Sequence, residues 1–218
     1  MAVDGKGPVR ILVLVSGSGT NLQALIDAEK AGRFRCADGG GVITAVISDR
    51  ADAYALERAK AAGIPALTEK PDRTLAVTAR RRELSDRILA IAEAQDIGLI
   101  ILAGFLSILE GEIVRRYAGR IINLHPALLP KFGGQGMYGE KVHQAVLASG
   151  ETESGCTVHL VDAGTDTGPI LLQRRVAILR GPEVQDTPET LAERIHQEEH
   201  IAIVEGTVMM IKRIGGIS

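Results

Sequence analysis

Asn123 and His125 stand two residues apart at the end of an apolar run, Ile121-Ile122-Asn123-Leu124-His125-Pro126. In a strand, alternation turns both side chains to the same face. An amide N–H₂ donates to a carbonyl oxygen that is becoming an oxyanion, and an imidazole beside it donates likewise or moves a proton near neutral pH. Such a pair needs a third member. Asp166, in Asp162-Ala163-Gly164-Thr165-Asp166-Thr167-Gly168-Pro169, is a carboxylate with backbone freedom on both sides. Beside His125 it would raise the imidazole pKa and fix its tautomer. Asp162 and Asp166 also suit plain turn-forming roles.

Two further segments carry chemistry in outline. Ser16-Gly17-Ser18-Gly19-Thr20-Asn21 follows an apolar strand and opens a helix, where free backbone N–H groups and hydroxyls suit a phosphate. Leu22 stands where a dinucleotide fingerprint has its third glycine, and no lysine follows for a P-loop, so a phosphate monoester fits better. A tight turn with a helix cap accounts for the same residues. His196-Gln197-Glu198-Glu199-His200 matches H-x-x-E-H, a zinc-protease pattern whose third ligand would have to be Glu205, but so short a motif reads better as helix surface or as polar groups facing a ligand.

The elements that must position these groups alternate. Ile11 to Val15, Val42 to Ile47, Ile64 to Leu67, Gly98 to Ala103 and Arg120 to Leu124 read as strands, with Gly98 to Ala103 the most apolar and central. Helices are expected from Leu22 to Gly32, Tyr54 to Ala62, Leu75 to Ala94 and Ile108 to Tyr117. That order implies right-handed βαβ crossovers in an α/β fold. Beyond His125 come an irregular stretch and a helix around Val142 to Ala148. Two strands follow, Thr157 to Val161 and Ile170 to Val176, which pair antiparallel and make the sheet mixed. A last helix starts at Thr187-Pro188-Glu189 and runs through Val204.

Composition bounds the partners. The 218 residues carry 25 Lys+Arg against 27 Asp+Glu, and a formal net charge of -2 gives no global attraction to nucleic acid or acidic membranes. With 3% aromatics and no Trp there is little to build a base-stacking surface, whereas 25 glycines suit many tight turns. Cys36 and Cys156 show no metal or disulfide spacing and read as buried free thiols. Met1 to Lys6 show no leader pattern and no stretch is long and apolar enough to span a bilayer, which points to a cytoplasmic protein.

Taken in chain order, five motifs resemble the phosphoribosylglycinamide formyltransferases: Val15-Ser16-Gly17-Ser18-Gly19-Thr20-Asn21-Leu22-Gln23, Ile47-Ser48-Asp49-Arg50-Ala51-Asp52-Ala53, Leu102-Ala103-Gly104-Phe105-Leu106, Ile122-Asn123-Leu124-His125-Pro126-Ala127-Leu128-Leu129-Pro130 and Asp166-Thr167-Gly168-Pro169-Ile170. The likeness runs from Ile11 to about Val204. It implies a Rossmann-like formyltransferase fold, a mostly parallel mixed sheet flanked by helices. It implies one domain over 1–218, the N-terminal half binding phosphate and ribonucleotide and the C-terminal half binding folate and catalysing. The implied reaction moves a formyl group from 10-formyltetrahydrofolate to the amine of glycinamide ribonucleotide in de novo purine biosynthesis, with no metal.

By the same resemblance, Asn123, His125 and Asp166 are catalytic and Gly19, Thr20 and Asn21 hold the substrate phosphate. Glu199 contacts the ribonucleotide, and Phe105, Leu106, Ser107, Ile108 and Leu109 line the folate pocket. Ser107 stands where some members carry Arg, and the segment 132–139 is longer than in the shortest members, so no role is assigned to it. The related methionyl-tRNA formyltransferases and formyltetrahydrofolate hydrolases carry added domains, and the length of this chain disfavours both. The expected partners are small molecules, with no nucleic acid and no membrane, and a homodimer is left open. A non-catalytic nucleotide-binding α/β protein is the reading of another class.

Overall fold

β1 (Val9–Val15) turns Ile11, Val13 and Val15 to one apolar cluster and Leu12 and Leu14 to another, all fully buried. That is how a continuous apolar run becomes a strand covered on both faces. The computed structural model describes residues 7–36 and 39–216; Met1 to Lys6, where no leader pattern is read above, lie outside them.

β2 (Gly41–Ser48), β3 (Ala66–Thr68), β4 (Leu99–Leu102) and β5 (Ile121–His125) pair parallel with their neighbours, and β6 (Glu153–Leu160) and β7 (Ile170–Ala177) join antiparallel. The sheet runs β3-β2-β1-β4-β5-β6-β7, so β4 is its middle strand, as its composition predicts. Asn123 lies opposite His159 and His125 opposite Thr157 across the β5–β6 ladder.

α1 (Thr20–Lys30), α2 (Tyr54–Ala61), α3 (Val77–Ala94), α4 (Glu112–Arg116) and α5 (Glu140–Ala148) follow the expected order. Several boundaries shift, β6 for one starting at Glu153 and not at Thr157, and two of the shifts have a visible cause. The spacing predicts a helix from Ile108, but Gly111 takes φ 78 and ψ -139, and helix begins only at Glu112. The residues before it are left as an irregular wall. At β3 pairing starts at Ala66, because Pro65 has no N–H to give a ladder and offers only its carbonyl, to Val46 N at 2.9 Å.

α6 (Pro188–Gly215) opens on a reciprocal Thr187–Thr190 cap with Pro188 in its first turn, as the sequence predicts, and extends well past Val204. It packs on β6 and β7. Gly206 makes the approach close: a Cβ there would meet Val158 Cγ1 at 2.8 Å. Cys156 is buried, but Cys36 is only half-buried, since it lies on the loop before β2 and not in the core.

Candidate active site

A cavity of about 1580 Å³ opens beyond the carboxyl ends of β1, β2, β4 and β5. It lies where the chain reverses its direction of travel across the sheet, between β1 and β4, the usual place for a ligand in an open α/β sheet. Its size exceeds the ~300–1,000 Å³ of an ordinary small-molecule pocket and leaves room for two ligands side by side.

Asn123, His125 and Asp166 meet in it. Asn123 Nδ2 donates to Asp166 Oδ1 at 3.3 Å, and His125 Nδ1 lies 3.5 Å from Asp166 Oδ2. The loop carrying Asp166 does more than turn. Asp162 is the turn former, accepting from Gly164 N and Thr167 Oγ1, while Asp166 takes a left-handed φ of 58 and points into the site.

Three groups that the sequence did not single out complete the arrangement. The Phe132 carbonyl accepts from His125 Nε2 at 2.7 Å, and Gly134 N donates to Asp166 Oδ2 at 3.0 Å. Both come from the segment without an assigned role, whose irregular backbone gave no periodic signal. His159, from β6, stands with Nε2 3.1 Å from the donating Asn123 Nδ2 and 3.5 Å from Asp166 Oδ1, while its Nδ1–H is satisfied by the Leu160 carbonyl at 2.9 Å. The only hint of it in the sequence was its place in a strand able to pair with the Asn123 strand.

These bonds set charge states. Because the Phe132 carbonyl can only accept, the His125 proton sits on Nε2, and the bare Nδ1 faces Asp166. Burial holds His125 below its ordinary pKa, even though Asp166 and the Phe132 carbonyl pull it up. The expected upward push from Asp166 is present, then, but desolvation outweighs it. For Asp166 burial acts upward, yet His159, His125 and the Gly134 N–H together hold it below the ordinary carboxylate range. The free site thus pairs a neutral imidazole with a carboxylate, poised to become an ion pair when Nδ1 gains a proton.

At the turn before α1, Asn21 lines the cavity while Gly19 and Thr20 do not. Gly19 has φ 73 and packs against α2, and no side chain caps α1, so its first N–H groups lack intrahelical partners. Ser16 Oγ is turned the other way, accepting from Leu106 N at 2.8 Å.

Phe105, Leu106, Ser107, Ile108 and Leu109 all line the cavity, with Leu106 53% exposed. Ser107 Oγ donates to Asp49 Oδ2 at 2.6 Å, and Asp49 Oδ1 is sealed without a partner among the described residues. Lys70, Arg73, Arg80 and Arg81 make the wall contributed by the β3–α3 side basic.

Glu199 is 3% exposed on α6 and also lines the cavity. Its Oε2 meets His196 Nδ1 at 2.8 Å and Asn21 Nδ2 at 3.4 Å. His196 and His200 have ring centroids 6.1 Å apart, and Glu205 is engaged by Arg174 instead of turning to them. Among the described residues no three His, Cys, Asp or Glu are grouped to hold a metal ion.

The formyl transferase family model matches residues 9–207. The chain is 43% identical over 208 residues, 92% of its length, to the trifunctional purine biosynthetic protein adenosine-3 of Drosophila pseudoobscura pseudoobscura, of which it spans 14%. It is 37% identical over 193 residues to the phosphoribosylglycinamide formyltransferase of Escherichia coli K12, covering 88% of this chain and 82% of that protein. The crystal structure of glycinamide ribonucleotide transformylase 1 from Symbiobacterium toebii superposes with a TM-score of 0.81 at 39% identity, covering 97% of this chain and 94% of that one.

Proposed function

The chain belongs to the formyl transferase family, and from that premise we propose that it moves a formyl group from 10-formyltetrahydrofolate to the amine of glycinamide ribonucleotide, a step of purine biosynthesis. The observation that carries this reading is the meeting of Asn123, His125 and Asp166 within one two-ligand cavity. The described fold acts as one unit, in which the turn before α1 and Glu199 hold the ribonucleotide and the 105–109 wall holds the folate. The partners are these small molecules, in the cytoplasm.

The walls fit such ligands. An exposed Leu106 beside Phe105 and Ile108 suits a flat heteroaromatic. Lys70, Arg73, Arg80 and Arg81 suit the carboxylates of a glutamate tail. The uncapped start of α1 and Asn21 suit the phosphate.

In the reaction the amine nitrogen bonds to the formyl carbon, and that carbon's oxygen becomes an oxyanion. Asn123 stabilises it, exchanging its long 3.3 Å contact with Asp166 for a bond to the oxyanion while His159 keeps the amide oriented. The neutral His125 takes the proton shed by the nitrogen on Nδ1, where Asp166 holds the resulting imidazolium. When the bond from carbon to the folate nitrogen breaks, that nitrogen keeps the electron pair and receives the proton. No covalent bond to the protein forms.

One assay tests the reading: formyl release from 10-formyltetrahydrofolate with glycinamide ribonucleotide, methionyl-tRNA or water as acceptor. Turnover confined to the ribonucleotide is expected. Equal release without it would make the protein a hydrolase, and no release with any acceptor would leave a binding protein.

A further inference from the structure

His143, the fourth residue of α5, is a titratable side chain that the reaction above does not use. It is 4% exposed and lines the same cavity as Asn123 and Glu199. Its Nδ1 is sealed from solvent with no hydrogen-bond partner among the described residues. A sealed N–H without an acceptor is rarer and costlier than a sealed lone pair, so the ring carries its proton on Nε2. Burial also holds its pKa below the ordinary value; Glu199 and Glu140 pull it up, and His196 and His125 push it down. The ring therefore meets the cavity as a neutral group with one N–H to give.

α5 packs on α6, so that His143 and Glu199 line one cavity from two neighbouring helices and the carboxylate acts on the ring. The bonds Glu199 makes to Asn21 and His196 both fall on Oε2. Asn21 Oδ1, at the same end of the cavity, is sealed without a partner as well. A neutral donor and a carboxylate that face one cavity select one kind of group between them. A hydroxyl oxygen accepts from the imidazole while its hydrogen goes to the carboxylate.

We propose that His143 and Glu199 together grip one ribose hydroxyl of the amine substrate, so that His143 is a binding residue that sets how far the amine reaches toward His125. This rests on the formyl-transfer reading above and deepens it. A phosphate would be repelled by Glu199, and an ammonium would find no acceptor on His143 other than a nitrogen that is sealed away.

The test is a cycle of His143→Ala and His143→Gln against glycinamide ribonucleotide and its 2′-deoxy and 3′-deoxy forms. His143→Ala is expected to lower kcat/KM for the parent ribonucleotide about 10-fold, with KM for the formylfolate unchanged. One deoxy form should lose a similar factor with the wild type and little more with the variant, because the bond is already gone. His143→Gln, which keeps a donor and much of the volume, should recover part of the loss and shows the outcome if the alanine variant does not fold. Equal losses on all three substrates, or none, would overturn the proposal. If the wild type binds the ribonucleotide but transfers no formyl group, the reaction reading fails, and the same cycle run on Kd by calorimetry decides the role of His143. No binding by the wild type overturns both.

Discussion

Ser16 Oγ and the backbone N–H of Leu106, 90 residues apart in the chain, meet in a 2.8 Å hydrogen bond. The turn that opens α1 and the wall beyond β4 are thereby tied together, and Ser16 N is tied to Gly104 O as well. Removing the hydroxyl with Ser16→Ala is expected to cost about 1 kcal/mol of stability. Because one bond serves both walls, KM should rise for the ribonucleotide and for the folate together. Steady-state kinetics in each substrate checks this, and a rise in only one would mean that the walls are independent.

Asn123 carries the only side-chain amide in the trio with Asp166 and His125, and its loss should appear in turnover more than in binding. Asn123→Ala is expected to lower kcat by roughly 10²–10³, the usual loss for one oxyanion donor. Product formation at saturating concentrations of both substrates measures it. A rise in KM with kcat unchanged would point to a binding role.

The pH profile follows from His125. Its pKa is held by burial below the ordinary 6.5, and the neutral ring is the form that accepts the proton. The acid limb of kcat/KM should therefore lie below pH 6.5. Asp166 acts to raise that pKa, so Asp166→Asn should move the limb to still lower pH while reducing turnover. Asparagine is the suitable replacement, since it tolerates the left-handed backbone found at Asp166. A limb above pH 6.5 in the wild type would assign the proton to another group.

Cys156 is pushed up to about 12, by burial first and then by Glu199 and Glu198. At pH 8 it should not react with a thiol reagent in the folded protein, while the half-buried Cys36 reacts first. Counting modified thiols before and after denaturant distinguishes the two. Fast native labelling of Cys156 would show that β6 opens.

At Gly206, a valine would press its branched side chain into Val158, which is fully buried. Overpacking of this kind costs about 1–3 kcal/mol and outweighs the helix-propensity gain over glycine. Since α6 also carries Glu199, Gly206→Val should lower Tm and raise KM for the ribonucleotide more than for the folate. Thermal denaturation and kinetics in each substrate check both halves.

Much of this was legible in the sequence. The apolar runs of β1, β4 and β5 predict their burial because alternation serves both faces of a covered sheet, and Asn123 and His125 keep their two-residue spacing for the same reason. What was not legible depends on distant contacts. His159 reaches Asn123 only through the antiparallel register of β6, and Phe132 and Gly134 act through backbone atoms, which any residue type can supply. The helix expected from Ile108 fails because Gly111 has a conformation that spacing does not reveal. A carboxylate near His125 predicts an upward shift, but burial, a property of the folded chain, outweighs Asp166 and reverses its sign.

The pairing of Asn123 with His159 across β5 and β6 also bears on how preparations of the protein can be judged. A slip of one residue along that ladder would turn a whole row of side chains to the opposite face, so amide and imidazole would part completely and not by degrees. Molecules that have zipped in the wrong register thus contribute nothing to turnover, and no weakly active population dilutes the measurement. Titrating active sites against total protein becomes a count of correctly aligned chains, a measure of folding quality read from chemistry alone.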